Sequence, residues 1–198
     1  MNQEKLKSVL KEHQLWLETR FSAHIEGCHA NLRDADLKGA NLMNANLMNA
    51  NLRDTNLMNV DLRSAVLSDA DLRGANLMNA DLRDAKNIPF IPFTCPDSGS
   101  FIGYKKARGY VVKLEILEDA RRCSATGRKC RCDKARVLTI TNLDGTDANI
   151  SSVSSSFDKS FIYTVGEVVE VPDFDTYRWN ECTTGIHFFI NRQEAVEY

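Results

Sequence analysis

The stretch ANLMNANLMNANLRD, residues 40–54, sets a leucine at every fifth position and an alanine two places before each. An α-helix turns about 100° per residue, so leucines five apart scatter around it instead of forming a stripe. In a flat strand the side chains alternate, and an odd spacing sends successive leucines to opposite faces. A coil that turns a corner every five residues satisfies the pattern. In each short extended segment Ala at i−2 and Leu at i then share the inner face. The register runs through Leu32, Leu37, Leu42, Leu47, Leu52, Leu57, Leu62, Leu67, Leu72, Leu77 and Leu82. The i−2 residue is Ala except at Thr55 and Val60, small side chains suited to a narrow interior.

These consecutive units over residues 30–84 resemble the pentapeptide-repeat family, whose A(D/N)LXX units build a right-handed, four-sided parallel β-helix. A fixed period of this length outranks local propensity. Four segments per turn stack residues 20 apart at a spacing of ~4.8 Å, so the expected rod is about 13 Å tall. The resemblance also brings in DNA mimicry, since some members bind type II topoisomerases through a long acidic rod. This coil is short, and its eight Asp are nearly balanced by six Lys or Arg. A topoisomerase regulator therefore ranks below the other readings. Stacking by 20 lines up Arg33, Arg53 and Arg73 on one face, Arg63 and Arg83 on another, and Met58 above Met78 on a third. Arg33, Arg53, Arg73, Met58 and Met78 are the expected protein-contact residues, with Asp34, Asp54 and Asp84 as neutralising neighbours. Exposed methionines suit an adaptable contact surface, although the ordinary abundance of exposed apolar atoms favours their simply covering the coil.

On the N-terminal side, residues 1–29 place Leu6, Val9, Leu10, His13, Trp16 and Leu17 on one helical face, which reads as a helix capping the end of the coil. Ala23-His24-Ile25-Glu26-Gly27 reads as a degenerate repeat. After Ala85 the pattern stops, and Pro89, Pro92 and Pro96 mark a linker over 86–100. Residues 101–198 read as a separate α+β domain with a mostly antiparallel sheet. Its expected strands are FIGYKK, YVVKLEIL, KARVLTIT, FIYTV, EVVEV and GIHFFI, followed by a short helix capped by Asn191. NLDGT supplies a turn, and Thr164-Val165-Gly166-Glu167 is expected to close a hairpin. The fold class is thus mainly β: capping helix, β-helix, then the α+β domain. The strings YVVKLEILEDARRCSATGRKCRCDKARVLTI and RWNECTTGIHFFINRQEAVEY resemble an uncharacterised domain that follows pentapeptide repeats in bacteriophage and bacterial proteins, and KEHQLWL is similar to their N-terminal helix. The resemblance implies architecture and a phage-related origin, but no activity.

The densest chemistry lies in RRCSATGRKCRCDKAR, residues 121–136, read as a loop between two strands. Arg121, Arg122, Ser124, Thr126, Arg128, Lys129 and Arg131 suit a nucleotide or other anionic ligand through fork-like, charge-assisted hydrogen bonds. A solvated basic loop, or one paired with acids such as Asp173 and Asp175, is the alternative. The GxxxxGK[ST] spacing of a P-loop is absent. Cys123, Cys130 and Cys132 are spaced poorly for zinc, and the arginines repel a cation, so no metal is expected. Cys182 and His187 form no evident nucleophile pair.

The whole chain has a net charge of −2, no apolar run long enough to span a bilayer, and six cysteines that read as cytosolic thiols. A soluble, cytoplasmic, non-enzymatic interaction protein without a cofactor is the leading expectation, its partner a host enzyme or defence component. A homo-oligomer stays open, because a coil end needs covering.

Overall fold

In the computed structural model, which describes residues 1–198, the period of five is a backbone that turns a corner in every unit. Parallel bridges join residues 20 apart, from Asn31↔Asn51 to Val66↔Lys86. The Leu32 N–H donates down to the Asn51 carbonyl at 2.8 Å, and the Asn51 N–H donates back to the Ala30 carbonyl at 2.9 Å. Each corner closes with a bond such as Ala35 N–H to Leu32 C=O at 3.1 Å. The third residue of that turn, Asp34, has φ 55°, and the same sign recurs at Asn44, Asn49, Asp54, Asn59, Ser64, Asp69, Asn79 and Asp84, with Gly39 and Gly74 in the same slot. A turn of this kind needs a left-handed residue, and Asn, Asp and Gly adopt that conformation most readily. The second residue of each unit except Val66 is Asn or Asp, and it works as an Asx-turn: the Asn41 side chain accepts the Met43 N–H at 3.0 Å, and Asn46 accepts that of Met48 at 3.1 Å. Each place in the repeat therefore has a physical reason. All of the stacked leucines are buried. Thr55 fits inside because its hydroxyl donates to the Leu32 carbonyl at 2.8 Å. The result is a short coil and not a long solenoid.

Helix α1, Gln3–Thr19, is capped by Asn2, whose side chain accepts the Lys5 N–H at 2.8 Å. Leu6 and His13 are buried, while Val9, Leu10, Trp16 and Leu17 are half-buried. The chain passes back very close to this helix at Gly27, where a Cβ would lie 2.1 Å from the Glu12 carbonyl oxygen. One expectation is corrected here. Ile25 is 61% exposed, so 23–27 does not supply an inward rung.

The chain divides into two compact units, Met1–Pro92 and Phe93–Tyr198. The second holds strands β1 (Phe101–Ala107), β2 (Tyr110–Ile116), β3 (Arg122–Ser124), β4 (Cys130–Cys132), β5 (Lys134–Asn142), β6 (Ser152–Ser154), β7 (Ile162–Thr164), β8 (Val168–Glu170) and β9 (Ile186–Phe188), then helix α2 (Arg192–Glu197). They form an antiparallel sheet β1-β2-β5-β8, a three-stranded sheet β3-β4-β9 and the pair β6-β7. Val112, Leu114, Ile116, Val137, Ile140, Cys130, Cys132, Ile186 and Phe188 fill the core. Gly103 lets strand β1 pass over the Phe188 ring, which a Cβ there would approach to 2.7 Å. Asn191 caps α2 by accepting the Gln193 N–H at 2.8 Å. Two expectations change. Residues 121–136 are not a loop: β3 and β4 form a hairpin inside them. Thr164–Glu167 does turn, with Glu167 N–H bonded to Thr164 C=O at 3.1 Å, but it links β7 and β8, which belong to different sheets. No helix is long and apolar enough to cross a membrane.

Candidate functional site

The β3–β4 hairpin distributes the seven expected ligand residues among separate environments. The Arg121 Nε donates to Asp133 Oδ2 at 2.7 Å, and its backbone N–H donates to Asp133 Oδ1 at 2.9 Å. Arg122 is committed to carbonyls: Nη1 to Gly99 at 2.7 Å, Nη2 to Leu117 at 2.7 Å and Glu118 at 2.8 Å, and Nε to Ala120 at 3.1 Å. Ser124 is buried, its hydroxyl oxygen accepting the Thr94 N–H at 2.7 Å. Thr126 lies half-buried at the hairpin tip. Arg131, only 2% exposed, donates through Nη1 to Asp175 at 2.9 Å and Thr184 at 2.8 Å, and through Nη2 to Tyr177 at 3.1 Å, all backbone carbonyls. Its guanidinium lies 5.3 Å from the Phe174 ring centre. Arg121, Arg128 and Lys129 present their charge near the surface, Arg121 already paired with Asp133. Arg128 Nε reaches Glu194 Oε1 at 2.7 Å. Lys129 Nζ makes longer contacts, 3.4 Å to Tyr198 Oη and 3.7 Å to Cys182 Sγ. The hairpin is basic because arginines clip neighbouring loops to it, and hydropathy alone reads such residues as solvated.

Sequence reasoning passed over Arg178, Glu181 and Lys105. Arg178 donates from Nε to the Ser124 carbonyl at 2.9 Å and from Nη2 to that of Ala125 at 3.1 Å, between the rings of Phe93 and Trp179. Its juxtaposition with Trp179 in TYRWNE was the available signal, since a guanidinium stacks well on an aromatic face. Glu181 is buried, Oε1 has no hydrogen-bond partner, and burial pushes its carboxyl above the usual range. Burial holds Lys105 down to about 8.

Cys182 and His187 are not assembled into a nucleophile pair. The imidazole Nε2 engages the Glu181 carbonyl at 2.9 Å, and Cys182 faces Lys129 instead. Burial, reinforced by Lys105, holds His187 down to about 4, so it is neutral at pH 7. All six cysteines are free. Contact with Cys95 and burial push the Cys130 thiol up, and burial does the same for Cys132 and Cys123. No group of three or more His, Cys, Asp or Glu is placed to hold a metal.

On the coil, Arg63, Arg73 and Arg83 are more tightly paired than the sequence suggested, and with different partners, whereas Arg33 keeps the expected Asp34 and Asp54. Arg63, Arg73 and Arg83 each fork onto the aspartate two residues before, Asp61, Asp71 and Asp81, at 2.5–2.7 Å for Nη2. The Arg63 and Arg73 hydrogen bonds hold Asp61 and Asp71 down to about 2. Arg33 has looser contacts with Asp34 at 3.4 Å and Asp54 at 3.8 Å. Arg53 Nε is buried without a partner. Met58 and Met78 are half-buried, and Met43 is the exposed methionine of the coil at 44%.

Comparison with known proteins gives this architecture its affiliation. The model of the family described as pentapeptide repeats (8 copies) matches residues 29–63 and 55–86. The model of a family of unknown function, DUF5758, matches residues 91–195, just over half of the chain. Among solved structures, a pentapeptide repeat protein (Rfr23) from the cyanobacterium Cyanothece 51142 is similar at 40% identity, with a TM-score of 0.29. The match covers 30% of this chain and 42% of that one, so it spans less than half of the relative's length. No curated protein matches. The chain is a pentapeptide-repeat protein whose C-terminal domain belongs to the DUF5758 family of unknown function.

Proposed function

We propose that the protein is a non-enzymatic interaction protein of phage-related origin, in which the coil is a rigid right-handed, four-sided platform and the C-terminal domain a binding head. The observation that carries this reading is the commitment of the polar side chains. Arg122, Arg131 and Arg178 are bonded to backbone carbonyls, and His187 is held by the Glu181 carbonyl away from Cys182. The proposed contact face is the Arg33/Arg53/Arg73 ladder. There Arg33, whose side chain is half-exposed, has only loose partners, so a partner's carboxylates gain the strongest new charge-assisted bonds at its guanidinium. The proposed partner is a host enzyme or defence component in the cytoplasm.

The test uses the purified chain as bait for host cytoplasmic proteins, beside a triple Arg33→Glu, Arg53→Glu, Arg73→Glu variant of matched thermal stability. A partner retained by the wild type and lost by the variant supports the reading. A partner held equally by both moves the contact off this face.

A second reading rests on Lys129, whose ammonium group has only long contacts to Tyr198 and Cys182. It narrows an anionic-ligand site to Arg128 and Lys129 at the hairpin tip. Thermal melting against a panel of nucleotides tests it, since ligand at 100 times Kd stabilises by about 2.7 kcal/mol. A shift lost in Lys129→Ala favours this reading over the first.

A further inference from the structure

Throughout the coil the alanine N–H of each unit is taken by the leucine carbonyl three residues before it, as Ala35 bonds to Leu32. Ala30 opens the first unit, and three residues before it stands Gly27. Its N–H goes instead to Nδ1 of His13, on helix α1, at 3.1 Å. The imidazole is 1% exposed and stacked on Trp16, whose ring also meets the edge of His29 and the Arg20 guanidinium. An imidazole accepts at Nδ1 only while that nitrogen carries a lone pair, and the imidazolium has none. Protonation therefore sets two N–H donors against each other in a buried site. From this geometry we infer that His13 is an acid-released latch holding α1 over the first turn of the coil.

The surroundings reinforce the latch. The titratable groups acting on His13 are His29, from the segment leading into the coil, and Arg20, at the end of α1; both oppose a second positive charge. The backbone of Cys28 and Asn46 favours the charged ring weakly, and burial outweighs it, so the imidazole lies below its ordinary value of 6.5. The sign follows. A released helix takes up a proton more readily than a docked one, so docking is at full strength above about pH 6.5 and weakens as the pH falls through the docked value. One proton changes the opening equilibrium by up to about tenfold per pH unit within that window. Release uncovers the first turn of the coil, a strand edge with no preceding turn to pair with.

Amide hydrogen exchange of the full chain between pH 7.5 and 5, corrected for intrinsic rates, tests the latch. Peptides covering residues 3–19 should lose protection by up to tenfold per pH unit below 6.5, while those from β1, β2 and β5 serve as the control. In His13→Asn, whose amide oxygen can take the Ala30 N–H without titrating, α1 protection should be independent of pH. Wild-type protection that stays flat to pH 5, or an equal fall in His13→Asn, overturns the inference. Should the variant fail to dock α1 at pH 7.5, the 15N spectrum of the wild-type imidazole decides. A neutral ring protonated at Nε2 is expected, and one protonated at Nδ1 refutes the latch.

Discussion

Arg131 and Arg128 sit three residues apart on one hairpin and have opposite consequences when removed. Arg131→Ala takes the buried guanidinium donor from three backbone carbonyls and empties a space beside Phe174, and the expected loss is about 3 kcal/mol. Arg128→Ala removes an ion pair whose arginine is 64% exposed, and the expected change is under about 0.5 kcal/mol. Urea unfolding followed by the near-ultraviolet signal of Trp179, buried in the same unit, separates the two. The coil offers a second comparison. Asn59, at φ 56°, occupies the left-handed corner slot. Asn59→Ala should cost about 1 kcal/mol and Asn59→Gly much less, because the alanine Cβ resists that conformation. A circular dichroism melt of both variants tests this, and equal losses would mean that the side chain, not the backbone, holds the corner.

Among the elements, α1 depends on a residue outside itself. Gly27 has φ 72°, and a Cβ there meets the backbone of Glu12 at 2.1 Å and of Trp16 at 2.9 Å. Gly27→Ala is therefore expected to push the helix off the coil at every pH. It would show as lost exchange protection in residues 3–19 without a change in β1, β2 and β5. The elements also show where reading from sequence succeeds. The coil is legible because its leucines recur with no slip, and an unbroken period of five leaves little else possible. Strands β1, β2, β5, β7, β8 and β9 are legible from their β-branched and aromatic runs. Strands β3 and β4 are not, because Arg122 and Arg131 count as solvated charge in any sequence pattern. Their burial depends on carbonyls brought by Gly99, Asp175 and Thr184, far along the chain. For the same reason the spread of the seven hairpin residues among separate partners was invisible, whereas the absence of a P-loop was plain from spacing.

Over the whole molecule, acid should act on each unit through an imidazole withdrawn from water, buried His13 in one and half-buried His187 in the other. In the C-terminal unit, His187 lies at about 4 against 6.5 for a free side chain. Unfolding then takes up a proton, so stability is fully present above about pH 6.5 and falls by about 3 kcal/mol as the pH drops to 4. Glu181, raised by burial, works in the opposite sense and softens the loss. The difference between wild type and His187→Gln, measured by urea unfolding at pH 7 and pH 4.5, isolates the histidine. A difference independent of pH would mean that His187 is solvated. The bridges that join residues 20 apart have a consequence for how such a chain tolerates insertion and deletion. Gaining or losing one residue breaks the inner register. Five residues preserve the leucine interior but advance everything downstream by a quarter turn, so Arg73 would no longer stand beneath Arg53. Only twenty residues lengthen the coil and leave every outer column intact. Change in length is thus cheap for the core in fives, and neutral for recognition only in twenties.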